Sequence, residues 1–509
     1  MLLVPAFMRI AGAGLVVDSW TRLLSGRLTA RRHRGNPVSH QPVEHIPTDP
    51  ARMHRFDPAM TQMILDYVRE RLALAEAPVD GLGDRTTLEA AVAGLIGPGP
   101  REAREVLDVY IDALADTVLS ADSPRYLAFI PAAPTKAALL FDMIVSAASL
   151  QGCSWLEAAG VVVAENQALR VLADAAGLPS GAGGVFVSGG SAGNLSALVV
   201  ARDVARYARD HASVDGGRRG AATPAVVVSD QAHSSVAATL NITAMDAIVV
   251  PTSQGRLDAQ ALRRGLVDLP EEDLRRVVAI VATAGTTNAG IIDDIAAAAD
   301  VAEEHGWWLH VDGAYGGAGL LAPAIRPRYA GIERADSIVM DPHKWWFAPY
   351  DCAALLYREP RLAKAVHTQD ASYLDVIHEH DDDVNPSDLA YHLTRRARGL
   401  PLWFSMAVNG LDAYRDAVQQ GIDIARYAAA RITEAGHLRL VMEPELSVVL
   451  FTRVGWTLAD YEAWSATLLA SQCAFVTHSK WQGEPVGRLA FLHPGTTPAM
   501  VDEVLGTLA

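Results

Sequence analysis

Four short stretches of this chain carry residue types that could do chemistry together. "SGGSAGN" (188–194) is a glycine-rich turn with serine hydroxyls that runs into helical text. Free backbone N–H groups at a helix start, beside hydroxyls, can hold an anion such as a phosphate. "SDQAHSS" (229–235) offers His233, an imidazole able to stack on a flat ring or pass a proton. "HVDGAYGG" (310–317) puts Asp312 at the end of an apolar run, where a carboxylate needs a cationic partner to offset desolvation. "DPHKWW" (341–346) puts Lys344 beside two tryptophans. Their bulk is expected to desolvate the amine, lower its pKa and free it as a nucleophile. Each stretch has a plainer alternative. Ser191 or Asn194 can cap a helix, His233 can fill a strand–helix junction, Asp312 can cap a turn, and Lys344 can snorkel past apolar neighbours. The glycine turn is neither the GxGxxG dinucleotide fingerprint nor a Walker A loop, which needs Gly-Lys-Ser/Thr.

Some scaffold must bring these stretches to one place. Seven runs of strand length supply it: "GVFVS" (184–188), "AVVVSD" (225–230), "AIVVP" (247–251), "RVVAIVAT" (276–283), "WWLHVDG" (307–313), "SIVMD" (337–341) and "AALLYR" (353–358). They are rich in Val and Ile and apolar on both faces, the pattern of buried, mostly parallel strands with helices on both sides. Ligands of such sheets collect beyond the carboxyl ends of the strands. Each of the four stretches lies at such an end. Taken together they are a phosphate cradle, a ring stacker, a partner for a protonated pyridine and a lysine for a Schiff base. That is the set a pyridoxal phosphate site needs.

At 509 residues the chain is expected to hold two or three domains. Residues 1–50 read as a disordered extension, Arg-, His- and Pro-rich from position 27. Its apolar start, Met1 to Val17, lacks a basic beginning and is interrupted by Arg9, so neither a signal peptide nor a membrane span is expected. Residues 51–120 read as helical, with Met60, Ile64, Tyr67 and Leu72 near one face. Residues 121–377 form the large sheet-bearing part. Residues 378–509 hold a mobile acidic loop ("HEHDDDVNPSD"), linking helices and a small α+β domain built on "SVVLFTR" (447–453), "AFVTHSKW" (474–481) and "VGRLAFLHP" (486–494). A net charge of −16 argues against nucleic acid or anionic membrane as partner. Cys153, Cys352 and Cys473 are scattered, which excludes a disulfide framework or zinc site and fits a cytoplasmic protein.

"GVFVSGGSAGNLSAL", "SDQAHSSV", "VATAGTTNAGIIDDI", "WWLHVDGAYGGA" and "DPHKWWFAPYDCAALLY" resemble the group II pyridoxal-phosphate-dependent amino-acid decarboxylases, from about Ser123 to the C-terminus. The resemblance implies the fold-type I, aminotransferase-like α/β architecture and a homodimer that shares its active sites. It makes Lys344 the Schiff-base lysine, sets His233 against the cofactor ring and pairs Asp312 with the ring nitrogen. It also implies Ala314 against the ring, Thr283 near the ring hydroxyl, and Gly190, Ser191, Asp341 and His343 near the phosphate. "SPRYLAFIP" (123–131) is similar to the family's substrate segment, so Phe129 and Ile130 would line the side-chain pocket.

The implied reaction is α-decarboxylation of an amino acid to an amine, with a loop tyrosine of the partner subunit returning a proton to the α-carbon. Tyr391 is the candidate, with a plain helix-face residue as the alternative. Ala192-Gly193 stands where many members carry Glu-Ala, and residues 154–167 lack an expected Ser-Pro pair. Two other functions stay open: a decarboxylating aldehyde synthase on the same scaffold, and a cofactor-binding protein without activity. Phe129 and Ile130 favour an aromatic or apolar substrate. Ala132 offers no hydroxyl to a substrate carboxylate, while "TRRARGLPLW" (394–403) and Arg488 could supply a cation for an acidic side chain.

Overall fold

The seven apolar runs become seven strands: β1 Gly183–Val187, β2 Ala225–Ser229, β3 Asp246–Val250, β4 Val277–Thr283, β5 Trp308–Asp312, β6 Ser337–Met340 and β7 Ala353–Tyr357. This computed structural model describes residues 49–131, 133–212, 222–252, 254–378 and 385–509. Most of the expected N-terminal extension, Ala132 and residues 379–384 of the acidic loop therefore lie outside the described residues.

The strands form one sheet in the order β1-β7-β6-β5-β4-β2-β3. β7 runs antiparallel to both β1 and β6, and the other pairings are parallel. This is the mostly parallel α/β sheet expected of fold-type I. Every residue of β2, β4, β5, β6 and β7 is buried. Covering both faces forces continuous apolar sequence instead of an in–out alternation. β3, at the sheet edge, is largely exposed.

Helices supply the cover. Helix Gly190–Ala212 lies across β4 to β7, and helix Trp155–Ala175 packs on β1 and β7. Helix Ile295–His305 rests on β4 and β5, opened by the Asp294 carboxylate accepting from Ala297 N–H and closed by left-handed Gly306.

The C-terminal part carries strands β8 Leu438–Leu440, β9 Val448–Arg453, β10 Thr477–Trp481 and β11 Glu484–Ala490, with β9 antiparallel to β8 and β11. Phe451, Trp464, Leu489 and Val501 form its core with Ala425 and Ala428 of helix Leu411–Glu434. Backbone contacts group Arg71–Ser479 with Pro485–Ala509 in one unit, and Met1–Glu70 with Lys480–Glu484 in another. Helix Pro58–Ala73 has no buried residue, and Met60 and Ile64 are exposed.

Candidate active site

Parallel pairing aligns the carboxyl ends of the central strands, so the residues that end them meet. Thr283 ends β4 and Asp312 ends β5, and the two are direct cross-strand partners. Asp341 follows β6 immediately, and His233 follows β2 as the N-cap of helix Ser234–Ile242. These ends open onto a cavity of about 230 Å³. Gly190, Ser191, His233, Thr283, Asp312, Ala314, Asp341, His343 and Lys344 all line it, so the sheet brings the expected cofactor residues together. Asn194, Ser235 and Thr287 line it too.

At one end begins the 23-residue helix Gly190–Ala212, whose first amides have no partner within the helix. Gly190 is closely packed on its open side. A Cβ there would sit 3.0 Å from Asp341 Oδ2 and 3.1 Å from the Ala314 Cβ. His343 stands nearby, fixed by Cys352 N–H donating to its Nδ1 at 2.9 Å, which leaves the proton on Nε2.

Lys344 Nζ lies 2.9 Å from Asp341 Oδ2. Burial works against the ammonium, but the Asp341 charge and hydrogen bond outweigh it, and the lysine pKa is raised. Burial likewise opposes the Asp341 carboxylate, yet Lys344 and His343 hold its pKa below the usual value. This corrects the expectation that neighbouring tryptophans lower the lysine pKa. Trp345 and Trp346 turn away into the core, Trp345 stacking on Tyr315 at 5.5 Å and Trp346 lying 6.4 Å from Tyr414. The lysine instead meets an anion three residues earlier.

Asp312 is held from two sides. Its Oδ1 accepts Ala314 N–H at 3.1 Å and its Oδ2 accepts Asn194 Nδ2 at 2.9 Å. Asn194 also donates to Ser235 Oγ at 3.0 Å, and Ser235 Oγ lies 2.8 Å from His233 Nδ1. His233 thus both caps its helix and faces the cavity, so the two roles weighed from sequence are compatible. Asn194 was expected only as a helix cap. The available signal was His310, a polar residue inside the otherwise apolar run "WWLHVDG", which needs a buried partner.

Phe129, Ile130 and Tyr391 are not among the lining of this cavity in a single chain. Phe129 has φ +49° and is 59% exposed, with its carbonyl accepting from Arg488 Nη1 at 2.9 Å. Ile130 is buried, and Tyr391 is half-exposed with its N–H on Ser196 Oγ at 3.3 Å. Three of the arginines considered for an acidic substrate are already paired: Arg395 with Glu165, Arg396 with Asp142 and Arg398 with Asp351. Arg488 is buried and donates to the carbonyls of Phe129, Thr287 and Asn288, and burial pushes its pKa down to about 10.

These residues fit pyridoxal phosphate. The helix start suits a phosphate, Lys344 suits an aldehyde, and Asp312 suits a protonated ring nitrogen. Two buried oxygens at the cavity, Thr283 Oγ1 and Asp341 Oδ1, have no partner among the described residues, as expected where a polar ligand completes the bonding.

Comparison with known proteins agrees. The pyridoxal-dependent decarboxylase conserved domain matches residues 99–454. Aromatic-L-amino-acid decarboxylase of Bacillus atrophaeus is 28% identical over 422 residues, covering 82% of this chain and 85% of that protein. L-2,4-diaminobutyrate decarboxylase of Rhizobium meliloti (strain 1021) is 32% identical over 385 residues, covering 73% and 74%. In fold, the chain matches the crystal structure of Oryza sativa TDC with PLP and tryptamine at a TM-score of 0.79 and 24% identity, covering 89% of this chain and 99% of that one.

Proposed function

The chain belongs to the pyridoxal-dependent decarboxylase family, and from that premise we propose that its substrate is an L-amino acid with an aromatic or apolar side chain, released as the amine and carbon dioxide. The activity is that of a pyridoxal-phosphate-dependent amino-acid decarboxylase, a carboxy-lyase. When bound, pyridoxal phosphate supplies the electron sink for the bond that breaks to the α-carboxylate.

The chain's own residues divide the remaining work. Lys344 provides the amine that holds the cofactor aldehyde, and Asp341 keeps that amine in place. Asp312 is the counter-charge for the ring nitrogen. His233 and Ala314 would flank the ring, and Thr283 would offer its hydroxyl to it. The Gly190 and Ser191 amides with His343 would hold the phosphate. Arg488, buried, holds the backbone of Phe129 and Thr287 by donating to their carbonyls.

Phe129 carries the choice of substrate class. Its positive φ costs of order 1–3 kcal/mol and is held by Arg488 on its carbonyl, which leaves the largely exposed ring beside Phe475. A relative that acts on aromatic amino acids supports this reading, while the diaminobutyrate and cysteine sulfinic acid decarboxylases name the competing substrates.

A second copy of the chain completes the site. Leu140 and Ile144 on helix Lys136–Ala147, and Leu156 and Val163 on helix Trp155–Ala175, are exposed apolar residues suited to such an interface. Tyr391 then serves the other copy's cavity and returns the proton to the α-carbon. A cytoplasmic location fits three free cysteines, and among the described residues no helix is long and apolar enough to cross a membrane.

The test is a panel of aromatic, apolar, acidic and basic L-amino acids, with carbon dioxide and product both measured. Amine from aromatic substrates supports the reading. Turnover confined to diaminobutyrate or cysteine sulfinate overturns the substrate class. Aldehyde with ammonia and peroxide selects the aldehyde-synthase alternative.

A further inference from the structure

Behind Asp312 runs a single file of buried polar groups that the decarboxylation chemistry does not itself require. Trp308, the first residue of β5, donates its indole N–H to Ser337 Oγ at 2.7 Å. Ser337 Oγ lies 2.8 Å from His310 Nδ1. His310 Nε2 lies 2.8 Å from Asn194 Oδ1, and Asn194 Nδ2 lies 2.9 Å from Asp312 Oδ2. Ser337, His310 and Asn194 are each at most 1% exposed.

Each donor and acceptor in this file has one consistent assignment. An amide oxygen only accepts, so His310 must carry its proton on Nε2 when it meets Asn194 Oδ1. A neutral ring then accepts at Nδ1, so Ser337 turns its O–H to His310 while its lone pair takes the Trp308 N–H. Burial favours that neutral ring, pushing the His310 pKa down to about 4. With its oxygen committed to His310, Asn194 must turn its NH₂ group forward, one hydrogen to Asp312 and one to Ser235. Ser235 Oγ, having accepted that hydrogen, donates its own to His233 Nδ1, and the His233 proton is left on Nε2.

We infer that His310 is a positioning residue for the cofactor ring: through Asn194 it fixes the face of Asp312 offered to the ring nitrogen. The inference rests on the reading that Asp312 pairs with the ring nitrogen. Without the imidazole, Asn194 Oδ1 loses its donor, and nothing behind the amide holds its hydrogen bond to Asp312 in place.

The test compares two probes on apoprotein: pyridoxal 5′-phosphate, and its analogue with the ring nitrogen replaced by C–H. Both present the same aldehyde and phosphate, so their affinity ratio reports the contact with the ring nitrogen. His310→Phe keeps the ring shape without a donor, and His310→Gln restores an N–H within reach of Asn194. His310→Phe should bind pyridoxal phosphate about tenfold or more weakly, the scale of one charge-assisted hydrogen bond, with little change for the analogue. His310→Gln should recover most of the loss.

Equal weakening of both probes, or a wild-type ratio retained in His310→Phe, overturns the relay. A wild-type protein that does not distinguish the probes overturns the pairing of Asp312 with the ring nitrogen, and the relay with it. Should His310→Phe not fold, histidine ¹⁵N spectra of the wild-type protein at neutral pH decide, with His310→Gln assigning the signal. A neutral Nε2–H ring supports the relay, and a charged or Nδ1–H ring overturns it.

Discussion

Replacing Asp341 by Asn should shift the pH dependence of cofactor capture toward acid. Capture needs the neutral Lys344 amine, and Asp341 Oδ2 at 2.9 Å holds that amine protonated. The opposing influence, burial, is the largest single one on Lys344, so removing the anion reverses the balance and the lysine pKa falls. A buried ion pair that loses one partner typically costs ~3–5 kcal/mol. Lys344 keeps 24% of its side-chain exposure, so a smaller figure applies. Each 1.4 kcal/mol of attraction removed with the anion raises the neutral fraction near pH 7 about tenfold.

The assay is the initial rate of yellow colour formation when apoprotein meets pyridoxal phosphate, across pH 6 to 9. The wild-type rate should climb steadily through this range, and the Asp341→Asn rate should already be high at its acid end. Because the substitution also removes an anion from the phosphate end, pyridoxal without phosphate is run in parallel. A gain seen with the phosphate form alone, or a profile that stays put or moves to higher pH, refutes the account of Lys344.

Other predictions concern the link, the cradle, the core and the sheet ends. Lys344→Ala should lack the yellow band that borohydride bleaches in the wild type, and a variant that keeps it would remove Lys344 from its role. Gly190→Ala, with its Cβ 3.0 Å from Asp341 Oδ2, should bind pyridoxal phosphate about tenfold more weakly, given ~1–3 kcal/mol for overpacking, while Gly436→Ala in open space should not change it. Arg395→Met strands the buried carboxylate of Glu165 and should cost about 3–5 kcal/mol in unfolding measurements, and Glu165→Leu added to it should recover much of that loss. Burial pushes the Asp293 pKa up to about 7, against N–H bonds from Leu257 and Thr283. The raised pKa means that the folded state binds this proton more tightly than the unfolded one, so the stabilisation is full below about pH 4 and lost as pH rises to 7. The melting temperature of wild type minus that of Asp293→Asn should therefore shrink from pH 5 to pH 8; a widening gap would contradict the sign.

Much of the fold was legible because burial writes a local pattern. Strands covered on both faces must be apolar throughout, so "RVVAIVAT" reads directly as β4, and its end marks Thr283. The four motifs were legible for a related reason: each sits within a few residues of a strand end, and parallel strands carry their ends to one edge. The pKa direction of Lys344 was misread because "DPHKWW" shows which residues adjoin the lysine but not where they point. The tryptophans enter the core, while Asp341, one turn back, reaches the amine.

The sequence by itself determined the α/β sheet and the standing of His233, Asp312, Asp341 and Lys344 at its strand ends, because these depend on short-range patterns of burial and residue type. The tertiary structure alone decided what each of these groups bonds to. Asn194 meets residues 41 and 118 positions away, and His310 reaches Asp312 through it although both stand on the same strand. Phe129 and Tyr391 illustrate the same limit from the other side, since neither lines the cavity of its own chain. Hydrogen bonds and ion pairs act over about 3 Å, and which groups come that close is set by how strands and helices pack, not by spacing along the chain.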